Sequence, residues 1–124
     1  MRYLGLLLAA MLSLPAYAGV GFADAQPPDQ TQLLKLLSGN TMYGVWAGKS
    51  YQQYFNPNGS TRYLEEGAPE AQGNWEVNAK GQYCSVWPPA GRWVCYNVRV
   101  DGNQIFWQSG DDYFPSEIKA GKLF

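Results

Sequence analysis

Histidine is absent from the 124 residues, and cysteine occurs only twice. Without histidine there is no Ser-His-Asp or Cys-His nucleophile system, no histidine-ligated zinc and no imidazole pH switch. Charge is scarce as well, with nine Lys/Arg against ten Asp/Glu and a net charge of −1. A near-neutral chain with scattered charges lacks the basic footprint of a nucleic-acid binder. Beyond the N-terminal segment no apolar run reaches the roughly 20 residues that span a bilayer. Regular Asp-x-Asp-x-Asp calcium spacing is missing too. The expectation is therefore no metal, no cofactor, no nucleic-acid partner and no membrane span in the mature chain.

The N-terminus reads as an export signal. Arg2 supplies a short positive start, residues 3–14 are apolar and uncharged, and Ala16-Tyr17-Ala18 fits a small-residue cleavage site before Gly19. Residues 1–18 are thus expected to be a signal peptide cleaved at Ala18–Gly19, with the mature protein periplasmic or secreted. Cleavage leaves 106 residues and, with Arg2 gone, a net charge of −2. That is enough chain for one domain. Residues 19–28 read as a loosely held tail, and residues 29–124 as the domain.

Aromatic residues are the positive outlier, with five Trp, nine Tyr and five Phe. With abundant glycine and turn signals they point to β-structure. Asp29 is placed to cap a short helix through Gln32, with Leu33, Leu34, Leu36 and Leu37 as its apolar face and Gly39 ending it. Strands are then predicted over residues 41–46, 50–55, 60–64, 73–77, 83–87, 92–100 and 104–108, with an eighth within 113–124. Asn56-Pro57-Asn58-Gly59, Asn78-Ala79-Lys80-Gly81, Asp101-Gly102-Asn103 and Ser109-Gly110-Asp111-Asp112 supply turns. Short connections make successive strands antiparallel neighbours. The fold expected is a mainly β antiparallel meander of seven to eight short strands, closing into a small barrel, with one short N-terminal helix.

Cys84 and Cys95 flank a hairpin. Folded about Pro88-Pro89-Ala90-Gly91, the segment sets Trp87 opposite Arg92, Val86 opposite Trp93 and Cys84 opposite Cys95. Directly opposed residues in a non-hydrogen-bonded pair lie about 4.5 Å apart at Cα, within the roughly 4.4–6.8 Å of a disulfide. An oxidising compartment makes the pair a disulfide, contributing about 2–3 kcal/mol by restricting the unfolded chain. Strand alternation divides the hairpin into two faces. The cystine face, with Val86 and Trp93, is expected to be core. The other face presents Tyr83, Trp87, Arg92 and Tyr96, residue types that dominate interface hot spots, with Arg92 over Trp87 as a cation–π pair. These four are the candidate binding residues.

Leu37-Ser38-Gly39-Asn40-Thr41, then residues 51–59 (Tyr-Gln-Gln-Tyr-Phe-Asn-Pro-Asn-Gly), then Gly73-Asn74-Trp75-Glu76-Val77, then Cys84 and Cys95, run in the order seen in a family of small exported alphaproteobacterial proteins of unknown function. The chain resembles that family from about Leu33 to Trp107 and departs from it at Ala120-Gly121-Lys122-Leu123-Phe124. The resemblance implies a secreted calycin-type barrel, lipocalin-like or streptavidin-like. It carries over no catalytic residue.

The acidic doublets Glu65-Glu66 and Asp111-Asp112 read as solvated turn charges, because neighbours in an extended segment point to opposite faces. Lys49, Arg62 and Arg99 read as isolated surface charges. Tyr43, Trp46, Tyr54, Tyr63, Trp75, Phe106 and Trp107 are the large side chains available inside a barrel, and for 106 residues they are expected to fill it. The functional expectation is an exported, non-catalytic binding protein that takes a small apolar ligand in or on the barrel. One alternative is an interaction or inhibitor module that meets an envelope or extracellular protein through the Trp87–Trp93 hairpin. Another is a hydrolase using a carboxylate pair.

Overall fold

The computed structural model describes residues 22–124; the expected signal peptide and cleavage site, Ala18–Gly19, lie outside the described residues. Helix α1 (Gln30–Leu37) opens the domain, its N-terminus capped by the Asp29 carboxylate, which accepts from the Gln32 amide at 2.8 Å. A helix of two turns does not persist on propensity alone. Its stability comes from Leu33 and Leu37, both fully buried against a core containing Phe55, Trp75 and Val77. Leu34, assigned to the same face by sequence, is instead 44% exposed.

Nine strands follow: β1 (Thr41–Trp46), β2 (Lys49–Phe55), β3 (Ser60–Glu65), β4 (Ala71–Val77), β5 (Tyr83–Val86), β6 (Val94–Tyr96), β7 (Val98–Asp101), β8 (Gln104–Ser109) and β9 (Asp112–Lys119). All pair antiparallel, in the spatial order β6-β5-β4-β3-β2-β1-β9-β8-β7. The ends of that order are consecutive in sequence. β6 and β7 are the single strand expected over residues 92–100, broken at Asn97, which raises the count to nine. Its first half pairs with β5 and its second with β8, so the sheet curls into a nearly closed barrel. Asn97 ties the two sides together. Its carbonyl accepts from the Gln108 amide at 3.1 Å, and its Oδ1 accepts from Gln82 Nε2 at 2.9 Å.

Alternation sorts each strand into an inner and an outer set. Tyr51, Gln53 and Phe55 of β2 face inward, as do Gly73, Trp75 and Val77 of β4 and Ile105 and Trp107 of β8. Helix α1 closes the end of the barrel where β2 finishes and β4 finishes. The N-terminal segment seals the lower part of the seam. Gln26 bridges Val100 through paired backbone bonds of 2.9 and 2.8 Å, Ala25 is buried, and Phe22 packs on Phe106 and Tyr113. The described part of the expected loose tail, residues 22–28, is therefore held against the barrel. Gly81 makes that crossing possible: a Cβ there would lie 2.3 Å from the Pro28 carbonyl oxygen.

Two of the three basic residues read as isolated have partners outside the barrel. Arg62 pairs with Glu70 at 2.8 Å and lies over the Phe124 ring, and Arg99 lies over Phe22 and Tyr113. The outward rings of Tyr43 and Tyr54 receive Lys119 and Lys122. Among the described residues no helix is long and apolar enough to cross a membrane.

Candidate functional site: an aromatic cup

The interior is not filled. A cavity of about 580 Å³ opens at the end opposite α1, beside the β1–β2, β3–β4, β5–β6 and β8–β9 connections. That volume falls in the range of roughly 300–1,000 Å³ typical of small-molecule sites. The expectation of a packed barrel fails because its aromatics divide three ways. Trp46, Tyr63 and Trp107 line the cavity, Trp75 joins the core beneath it, and Tyr43, Tyr54 and Phe106 face outward under the charged and N-terminal covers.

The floor is built by Met42, Gln53, Tyr83, Ser85 and Trp107, the walls by Tyr51, Tyr63 and Trp87, and the rim by Val45, Trp46, Ala71 and Phe114. Tyr96, Gln108 and Ser109 flank the upper seam, where β6 and β8 come together without a ladder. Two glycines create the room the rings occupy. A Cβ on Gly44 would sit 2.5 Å from the Tyr51 hydroxyl, and one on Gly73 would sit 2.7 Å from the Trp87 ring. Tyr51 stacks on Tyr63 with centroids 5.3 Å apart, and Trp87 meets Tyr63 edge-on at 6.1 Å. Trp46 and Phe114 make a further edge contact at 4.9 Å.

Polar atoms in the wall are few and ordered. Trp107 Nε1 donates to Ser116 Oγ at 2.9 Å, and Trp87 Nε1 donates to Ser85 Oγ at 3.1 Å. Gln53 Nε2 donates to both Thr61 Oγ1 and the Tyr83 hydroxyl at 3.0 Å. Among the described residues no charged side chain lines the cup. Burial holds Tyr83 neutral, its pKa pushed up to about 12 against the pull of the Ser85 and Gln53 hydrogen bonds. Burial also raises Tyr51, with the Ser116 hydroxyl opposing. Tyr63 is raised by burial first and then by the Glu65 carboxylate, to which its hydroxyl donates at 2.9 Å.

The hairpin requires a correction. Cys84 and Cys95 oppose one another as expected, with Sγ atoms 2.00 Å apart and Cα atoms 4.0 Å apart. The ladder ends at Ser85↔Val94, however, so the pairs Trp87–Arg92 and Val86–Trp93 do not form. The faces are also reversed. Tyr83, Ser85 and Trp87 point into the barrel, while the cystine is on the outer face of the wall, with Cys84 buried and Cys95 exposed, and Trp93 is 45% exposed. The reason is the inward register of β4: Trp75 pairs with Ser85 and Val77 with Tyr83, so these share its buried face. Of the four candidate residues, Tyr83, Trp87 and Tyr96 come together on the cup, and Arg92 remains outside it, exposed.

Sequence reasoning did not single out Tyr51, Gln53, Ser85 or Phe114. A usable signal existed for Gln53, since alternation places it between Tyr51 and Phe55 on one face of β2. Glu65, Glu66, Asp111 and Asp112 do not line the cavity. Glu66 accepts from the Ser50 amide at 3.2 Å in the turn region. Among the described residues no group of three acidic or cysteine side chains is placed to hold a metal ion. No protein-family model matches the chain, and no curated protein matches its sequence.

Proposed function

We propose that the protein is an exported, non-catalytic binding protein that takes a small apolar ligand into the aromatic cup. The observation that carries this reading is the cavity of about 580 Å³, open at one end and lined without a charged side chain. Covering such a wall with a ligand removes apolar surface from water at roughly 25 cal/mol per Å². The absence of charge in the lining favours a neutral occupant, because a buried ion without a partner costs several kcal/mol. The disulfide is compatible with an extracytoplasmic location, and a calycin-type ancestry belongs to the same proposal.

The test is titration with 2-methoxynaphthalene, a neutral apolar probe. Saturable change in tryptophan emission is expected, because Trp46, Trp87 and Trp107 all border the cavity. Ala71→Trp places bulk at the exposed rim and should weaken binding at least tenfold while leaving thermal stability intact. No saturation in the wild type, or equal binding by the variant, rejects the reading.

A second reading is a protein-interaction surface on the hairpin. It is favoured by the exposure, each above 40%, of Trp93 and of Val94 and Tyr96 in the strand that follows it, β6, whose outer edge is unpaired among the described residues. A partner from the envelope or extracellular space would meet Trp93 first. Trp93→Ala should then abolish association with that partner and leave probe binding unchanged; if association survives, the surface is idle.

A further inference from the structure

The floor of the cup holds a buried amide oxygen with no hydrogen-bond donor among the described residues. Gln53 is 5% exposed. Its amide orientation follows from its neighbours. The single proton of the Thr61 hydroxyl goes to the Tyr54 carbonyl at 2.8 Å, so Thr61 Oγ1 can only accept from Gln53. The end facing Thr61 is therefore Nε2, and its two protons go to Thr61 and to the Tyr83 hydroxyl. Gln53 Oε1 is left without a hydrogen bond from any described residue, in a side chain that lines the cavity. Beside it, the Tyr83 hydroxyl accepts from Gln53 and from Ser85, both acting as donors that favour its ionised form, and keeps its own proton to donate.

An acceptor and a donor thus stand together at the base of walls made of Tyr51, Tyr63, Trp87 and Trp107. A ligand that displaces solvent from this floor must bring its own donor or leave a buried carbonyl oxygen unpaired, which weakens its binding. A hydroxyl group meets both needs, donating to Gln53 Oε1 and accepting from Tyr83. Flat aromatic walls favour a flat ring system above it.

From this juxtaposition we infer that the cup selects neutral, planar ligands that carry a hydroxyl group, with Gln53 and Tyr83 reading that hydroxyl at the floor. The inference rests on the reading of the cup as a ligand site and adds the ligand's chemical class. Sites built to hydrogen-bond a ligand group discriminate against analogues lacking it more sharply than apolar pockets discriminate by size.

The experiment compares 2-naphthol with 2-methoxynaphthalene, whose oxygen has no proton to give, by fluorescence titration near neutral pH. The wild type should bind 2-naphthol about tenfold more tightly. Gln53→Met, which keeps the volume and removes the acceptor, should bring the ratio close to one mainly by weakening 2-naphthol. Equal binding of both probes by the wild type overturns the inference while leaving the cup a ligand site. Failure of both probes to bind overturns both. A tenfold preference that persists in folded Gln53→Met also overturns the assignment to Gln53. The wild-type comparison needs no substitution, so it decides the matter even if that variant does not fold.

Discussion

Tyr83 shows how one residue joins fold, site and pH response. Its ring packs edge-on against Phe55 and Trp107, and its hydroxyl receives Gln53. In the unfolded chain a tyrosine ionises near pH 10, whereas burial lifts Tyr83 to about 12 in the folded state. The folded protein therefore holds this proton through a window in which the unfolded chain has released it. Stability linked to Tyr83 is complete below about pH 10 and is lost as pH rises through about 12. Tyr51 and Tyr63 are shifted in the same direction and reinforce the effect. Urea unfolding followed across this window should give a falling free energy of unfolding, alongside tyrosinate absorbance that lags a free tyrosine. A flat profile to pH 12 would contradict the buried phenol.

At the scale of elements, most boundaries were legible because they depend on local chemistry. Asp29 capping, the Asn56–Gly59 turn and period-two alternation are written in adjacent residues, and β1 and the β2–β3 hairpin follow them closely. The facing of the β5–β6 hairpin was not legible, since both of its faces carry aromatics and the choice is made by β4. The site was half legible for the same reason. Tyr83, Trp87 and Tyr96 were named for their chemistry but placed on the wrong side, and Gln53 was hidden by its ordinary appearance in a strand. The cystine itself is a staple outside the cup. Replacing both cysteines by serine should lower unfolding stability by about 2–3 kcal/mol, from the entropy of an 11-residue separation. Denaturant midpoints under identical conditions measure it, and a loss below about 0.5 kcal/mol would mean the unfolded hairpin is already constrained. Cavity probes should still bind the double variant, because neither sulfur lines the cavity.

The whole molecule is a cup with one end stoppered by α1 and the other open, and its wall has a seam. Everywhere else each strand has neighbours on both sides. Along the seam, β7 gains Gln26 as a partner, but among the described residues β6 pairs only with β5. What joins the upper wall across that line is the bond at Asn97 and the packing of side chains. Local opening costs least where few backbone bonds must break. Amide hydrogen exchange should therefore be fastest, among the strands, at Val94, Cys95 and Tyr96, and slow in β2 and β3. Slow exchange throughout β6 would show that the wall is continuous.

That break at Asn97 leaves β6 paired to the wall on one side, at β5. Residues 94–96 are held to β5 by three ladder pairs and by the covalent Cys84–Cys95 bond. The ladder's hydrogen bonds exchange with water, but the covalent bond keeps this edge of the mouth beside β5 even where the ladder opens. The two cysteines so far appear as a contribution to stability. They also anchor one edge of the mouth, because Tyr96, next to Cys95, borders the cavity.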